Sequence, residues 1–129
     1  MKKIAQEWLD KALADARTAE REGRVLQDPN WDAVCFHAQQ AVEKALKALL
    51  QNENIAFPKT HDLGDLLNRL LAIYPDLASL QDSLEWLTTY AVEIRYPGEF
   101  AFAQDAQRSL DIMQETMQLI TAELQSKKM

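Results

Sequence analysis

Helix breakers are scarce in this chain: only three glycines and four prolines interrupt its 129 residues. β-Branched residues are sparse too, while Ala, Leu, Gln, Glu and Lys dominate. Long stretches therefore favour helix with little to stop them, and the expected fold class is all-α. The length suits one domain over residues 1–129, large enough to bury roughly 65% of the surface the unfolded chain would expose.

Apolar spacing and punctuation divide the chain into helices. The first is predicted from about Lys3 to Glu22, with Ile4, Trp8, Leu9, Ala12, Leu13 and Ala16 on one side, stopped by Gly23 and the Asp28-Pro29-Asn30 turn. The second runs from about Asn30, a candidate N-cap, to Asn52. Its apolar residues, Val34, Cys35, Ala38, Ala41, Val42, Ala45, Leu46, Ala48 and Leu49, sweep roughly 160°, so it is expected to be the central helix. A loop through Pro58 leads to a short helix from about Asp62 to Ile73. Tyr74-Pro75-Asp76 then breaks the chain before a fourth helix, which carries Leu80, Leu84, Leu87, Ala91 and Ile94 and is ended by Pro97. The last helix, about Ala103 to Gln125, places Ala106, Leu110, Met113, Met117, Ile120 and Leu124 along the seam of a bundle. Ile112 and Leu119 lie roughly opposite that seam and are the candidate contact of a homodimer. Trp8, Trp31 and Trp86 are expected to be packing residues.

Several function classes are disfavoured. With 20 acidic against 14 basic residues the net charge is −6, so the overall field repels polyanions and any anion site must be a local cluster. No apolar run is as long as a membrane span requires. The charged start, Met1-Lys2-Lys3-Ile4-Ala5-Gln6-Glu7, lacks the pattern of a signal peptide, and a cytoplasmic location is expected. Cys35 is the only cysteine and is expected to be a buried structural thiol. There is no Gly-rich phosphate loop, no nucleophile elbow, and no carboxylate pair accompanied by His or Cys, so neither a cofactor nor a metal is expected.

Two constellations remain. His37, Gln40, Lys44 and Lys47 fall within roughly 80° on the polar side of the second helix. That stripe either grips an anion or is a solvated face in which Glu43 and Lys47 form an i,i+4 surface pair. In "PKTHDLGDLL", residues 58 to 67, Thr60 or Asp62 can cap the short helix, while Lys59 and His61 flank its positively polarised start. Tyr96, beside Arg95, either stacks on a base or packs in the core.

These segments carry a resemblance. "FHAQQAVEKALKALL" (36 to 50), "PKTHDLGDLL" (58 to 67) and Arg95-Tyr96-Pro97, in this order, resemble the HEPN domain family, the higher eukaryotes and prokaryotes nucleotide-binding domains. The resemblance implies an up-and-down four-helix bundle with an additional short helix, usually a homodimer, and in bacteria commonly paired with a minimal nucleotidyltransferase as toxin and antitoxin. Gln40, Glu43, Lys44, Lys47, the turn from Thr60 to Leu63, and Arg95 to Pro97 match the family's typical positions. Family members that are metal-independent ribonucleases place a histidine four to six residues beyond an arginine. After Arg95 those positions hold Phe100, Ala101 and Phe102, none of which can transfer a proton. The chain therefore resembles a non-nuclease branch, with no catalytic residue expected. The candidate ligand site comprises Gln40, Lys44, Lys47, Lys59, His61, Arg95 and Tyr96; because an acidic protein has little reason to gather cationic groups unless an anion or partner neutralises them, Lys44, Lys47, His61 and Arg95 are expected to converge on one cleft for a nucleotide or RNA. The alternatives are a divergent ribonuclease using Arg95 with His61, and a purely structural interaction protein.

Overall fold

Helix α2 (Trp31–Asn52) follows α1 (Lys3–Gly23) and is packed more extensively than any other element; α5 (Ala103–Ser126) is its second large neighbour. The computed structural model describes residues 1–126, and between these helices lie α3 (Leu63–Asn68), a 3-10 helix (Pro75–Leu80) and α4 (Gln81–Glu93). The result is an all-α, up-and-down bundle in which α1 and α5 both lean on α2 and touch each other much less. Every residue of the apolar arc predicted for α2 is fully buried. The Asn30 side chain starts that helix by accepting a hydrogen bond from the Ala33 backbone N–H at 3.0 Å, satisfying one of the donors a helix start leaves open. No helix among the described residues is long and apolar enough to cross a membrane.

The core departs from the sequence expectation at both flanking helices. On α1 the buried stripe is Ala5, Leu9, Ala12, Ala16 and Ala19, while Ile4 and Leu13 are exposed and Trp8 is half-buried. Alanines at the contact allow two helix axes to approach closely, and the bulky residues flank that line instead of filling it. On α5 the predicted seam is buried throughout, but Ser109, Ile112 and Thr116 are buried with it. The buried face is wider than one seam because α5 touches α1 and α4 as well as α2. Ile112 thus belongs to the chain's own core, and of the pair expected at a dimer contact only Leu119 is exposed.

The connections also differ from their simplest reading. Gly23 is the last residue of α1, and a Cβ there would lie 3.0 Å from Leu110 Cδ1. It permits a close approach to α5 and does not itself supply the turn. The left-handed backbone positions on either side of α2 are Asp28 (φ 51°) and Asn54 (φ 58°). Helix α3 ends at Asn68, short of the expected Ile73, and tight turns carry the chain to the 3-10 helix. Pro75 stands at its start, where a missing N–H costs nothing. That proline does not leave an open break, since the 3-10 helix runs directly into α4.

Helix α4 ends at Glu93, before Pro97, and the segment after it returns to the bundle at Ala101. The Ala101 N–H donates to Asp32 Oδ1 in the first turn of α2 at 2.6 Å. Beside it, Tyr90 donates to Asp105 Oδ2 at 2.8 Å and stacks on Trp86, over which the Arg108 guanidinium lies 4.0 Å from the ring centre. All three tryptophans pack against the core, as expected.

Candidate functional site

The family-like residues of α2 are organised around a buried carboxylate. Glu43 is 3% exposed and Lys47 7%. Glu43 accepts from Lys47 Nζ at 3.0 Å through Oε2, and its Oε1 lies 2.8 Å from His61 Nδ1 and 3.2 Å from Gln39 Nε2. Burial alone would push the Glu43 carboxyl up. The hydrogen bonds from His61, Lys47 and Gln39, together with the Lys47 charge, outweigh burial and hold it below the ordinary glutamate value. The Lys47 ammonium also faces the Trp8 and Phe57 rings, 5.4 and 5.8 Å from their centres. Gln39 further donates to the His61 carbonyl at 3.3 Å and accepts from Gln40 Nε2 at 2.8 Å. The network therefore joins α1, α2 and the turn before α3. Of the two readings of the stripe, the i,i+4 pair of Glu43 and Lys47 does form, but it is enclosed and not solvated, because Trp8, Phe57 and His61 close over it from outside α2.

The turn before α3 is built as its residue types suggest. Asp62 caps α3 through the Asp65 N–H at 3.2 Å, and Thr60 Oγ1 accepts from the Asp62 N–H at 3.1 Å. Thr88 of α4 accepts from the Leu63 N–H at 3.1 Å, so the helix start is already hydrogen-bonded.

A second carboxylate takes the other half of the polar stripe. Asp15 of α1 accepts from Lys44 Nζ at 2.6 Å through Oδ2, and its Oδ1 lies 2.9 Å from His37 Nδ1. Asp15 was not among the residues singled out from the sequence. It stands 22 positions before His37, and nothing in local spacing marks the pair.

Arg95 occupies a third place. It follows the end of α4, and its guanidinium carbon is 5.7 Å from the centre of the Phe36 ring, which meets the His37 ring edge-on at 5.2 Å. Together with Asp32, Ala91 and Ile94 these residues line an open groove of about 330 Å³. Of Lys44, Lys47, His61 and Arg95, only Arg95 forms no ion pair among the described residues. Tyr96, 64% exposed, is a surface residue and not a core aromatic. It shares the segment with exposed Phe100 and Phe102.

The expected single cleft is therefore not what the geometry builds. Lys47 and His61 meet on Glu43, Lys44 meets His37 on Asp15, and Arg95 meets Phe36. Phe36 and Glu43 are two turns, roughly 10 Å, apart along α2. Gln40 is occupied by Gln39, and Lys59 is exposed in the loop before α3. A larger groove of about 510 Å³ between α3 and α4 is lined by Asp62, Asp65 and Glu85, a sign of charge unsuited to phosphate. Among the described residues no group of three or more His, Cys, Asp or Glu side chains is placed to hold a metal.

Fold and site together define a helical-bundle protein whose central helix is tied by two carboxylate-centred networks, with an arginine-lined groove at one end. The model of the HEPN domain matches residues 5–124, and the chain belongs to the HEPN family. Two crystal structures share the fold. One is of an archaeal HEPN homologue, 21% identical, with a TM-score of 0.73 over 95% of this chain and 98% of that one. The other is of a Thermus thermophilus protein, 23% identical, with a TM-score of 0.74 over 94% of this chain and 98% of that one. Among curated proteins none matches.

Proposed function

We propose that this chain is a cytoplasmic recognition module of the HEPN family that binds a nucleotide, or a nucleotide-bearing partner, in the groove beneath Arg95. In this reading it acts as a homodimer beside a minimal nucleotidyltransferase in a toxin–antitoxin-type pair, and chemistry belongs to the partner. The observation that carries the reading is Arg95 itself: an arginine with no ion pair among the described residues, set over an aromatic face at the edge of a groove. Arginine there offers a planar fork for phosphate and a flat cation for stacking.

The absence of a proton-transferring residue four to six positions beyond Arg95 supports a non-nuclease role. So does the engagement of His61 with Glu43, two turns along α2 from the ring that Arg95 covers. The pairing of Lys44 with Asp15 and of Lys47 with Glu43, and the contact of His61 with Glu43, favour a structural reading for that part of the motif. For self-association, the exposed apolar side chains on the two flanking helices are Leu13 of α1 and Leu119 of α5.

Calorimetry with a panel of nucleotides and short RNAs tests the site. Arg95→Ala is expected to weaken binding by about 1.5–3 kcal/mol, the value of one hydrogen bond to a charged group, and added salt should weaken it as well. Binding untouched by Arg95→Ala would move the ligand elsewhere. Light scattering tests the dimer, for which a monomeric mass at micromolar concentrations is the contrary result.

A further inference from the structure

Resting on the self-association in that reading, we infer that the aromatic face formed by Tyr96, Phe100 and Phe102 is where a second copy of this chain docks. The two copies meet through a two-fold contact of that face with itself.

Every exposed aromatic ring among the described residues is at this end of the bundle. Tyr96, Phe100 and Phe102 are 64%, 61% and 59% exposed, and Phe36 is 38%. The backbone that carries the first three is fixed at several points. The Glu99 N–H donates to the Tyr96 carbonyl at 3.1 Å, closing a turn over Pro97 and Gly98, whose φ of 91° suits glycine. Beyond the turn, the Ala101 N–H is held by Asp32 at 2.6 Å. The Phe102 N–H is held by Asp105 Oδ2 at 3.1 Å, the same oxygen that accepts from Tyr90. Ala101 is buried between two exposed neighbours, the alternation that successive side chains show along an extended stretch. Phe100 and Phe102 are thus held outward, with ring centres 5.4 Å apart. An apolar surface that is already ordered binds without the entropic cost of ordering it.

Charge narrows the occupant. From 93 to 102 the chain carries Arg95 against Glu93 and Glu99, and Glu99 alone is charged from 96 to 102. A nucleic-acid strand needs a positively charged groove along its backbone, which this segment does not supply. The matching surface is therefore apolar and nearly uncharged at its centre, as this face is. Area points the same way. With side chains of roughly 200 Å² each, the four exposed rings offer about 400 Å². A standard interface takes about 800 Å² from each partner, a little over half of it apolar, so the rings supply most of that apolar share. Leu13 and Leu119, each 37% exposed, are single side chains on separate helices and offer far less. The face also suits itself. The Phe100 and Phe102 rings are inclined by 65°, so they present different aspects to anything approaching them. Aromatic rings pack edge to face, and a two-fold contact can set the edge of one copy against the face of the other.

The test is sedimentation of the full chain across micromolar concentrations at low and high salt. The unmutated chain should dimerise, and salt should tighten the dimer, because two chains of net charge −6 repel and the contact itself is apolar. Phe100→Ser combined with Phe102→Ser should raise the dissociation constant at least roughly 100-fold, since each copy loses two central aromatic anchors. Leu13→Ser combined with Leu119→Ser should leave it within about 3-fold. Isotope-filtered NOEs in a mixture of labelled and unlabelled unmutated chains give a readout that needs no variant, and intermolecular contacts are expected at the Phe100 and Phe102 ring protons. A dimer that survives loss of both phenylalanines, or intermolecular NOEs confined to other residues, would overturn this surface and leave the homodimer standing. A dimer loosened by salt would overturn the apolar contact in favour of ion pairs. A monomer under every condition would remove self-association from the proposed function, and this inference with it.

Discussion

Replacing Glu43 by Gln should destabilise the protein far more than a change on an exposed helix face. The substitution keeps the shape of the side chain and removes the charge that faces Lys47 at 3.0 Å and His61 at 2.8 Å. Lys47 is 7% exposed and cannot recover full hydration where it stands. Leaving one partner of a buried pair uncompensated costs about 3–5 kcal/mol. The Trp8 and Phe57 faces remain in place and offset about 1 kcal/mol of this. His61 adds little, because its side chain is 70% exposed and water can replace the lost contact. The expected loss is thus about 3 kcal/mol, which for a chain of this size lowers Tm by roughly 10–15 °C. Urea denaturation followed by circular dichroism should show a lower midpoint with an unchanged slope. Glu43→Leu combined with Lys47→Met, which removes both charges, should recover most of the loss. A loss below about 0.5 kcal/mol for Glu43→Gln, the scale of a solvated i,i+4 pair, would refute the reasoning.

Acidification tests the same carboxylate. Its folded value lies below the ordinary one, so its stabilisation is complete above the unfolded glutamate value of about 4.3 and is lost as pH falls from there through the lower folded value; the midpoint of Glu43→Gln should fall less steeply than wild type over that window. Burial pushes the Cys35 thiol up, so a thiol reagent at neutral pH should label it only at the rate of unfolding, and rapid labelling of the native protein would contradict its placement. Asp32→Ala should raise amide exchange at Ala101 and its neighbours without a comparable rise in α2, because it removes the 2.6 Å tie at that point. The purified chain should not cleave unstructured RNA in EDTA; cleavage lost on either Arg95→Ala or His61→Ala would restore a catalytic reading.

The helices were legible where a side chain's fate depends on its own face. The α5 seam and the α2 arc are apolar, regularly spaced and buried. On α1 Leu9, Ala12 and Ala16 were placed correctly, but Ile4 and Leu13 are exposed and Ala5 and Ala19 are buried instead, because alanine tolerates either burial or water and only the neighbouring helix selects where the contact line runs. Asp62 was legible as a cap since capping is local. The candidate site was harder to read. Glu43 and Lys47 look like surface residues until Trp8 and Phe57 enclose them. Likewise Asp15 and His37, on different helices, acquire a joint meaning only when α1 lies against α2. Arg95 was singled out beside Tyr96 and Pro97, but its true neighbour, Phe36, is 59 positions away and was reachable only through tertiary packing.

Helix α2 is covered by one helix that precedes it and another that ends the described chain, and this has a consequence for biosynthesis. The α1–α2 hairpin can form as soon as Asn52 has left the ribosome, since its contacts are local in the chain. The α5 side of the bundle cannot close until Ser126 has been made, roughly 4–15 s later at about 5–20 residues per second. Over that interval the nascent chain presents the apolar surface of α2 that α5 will cover, a target for chaperones or for another nascent copy. A stop codon placed before Ala103 would make that interval permanent, and the truncated product is expected to be insoluble even though it retains Arg95, His37 and both carboxylates.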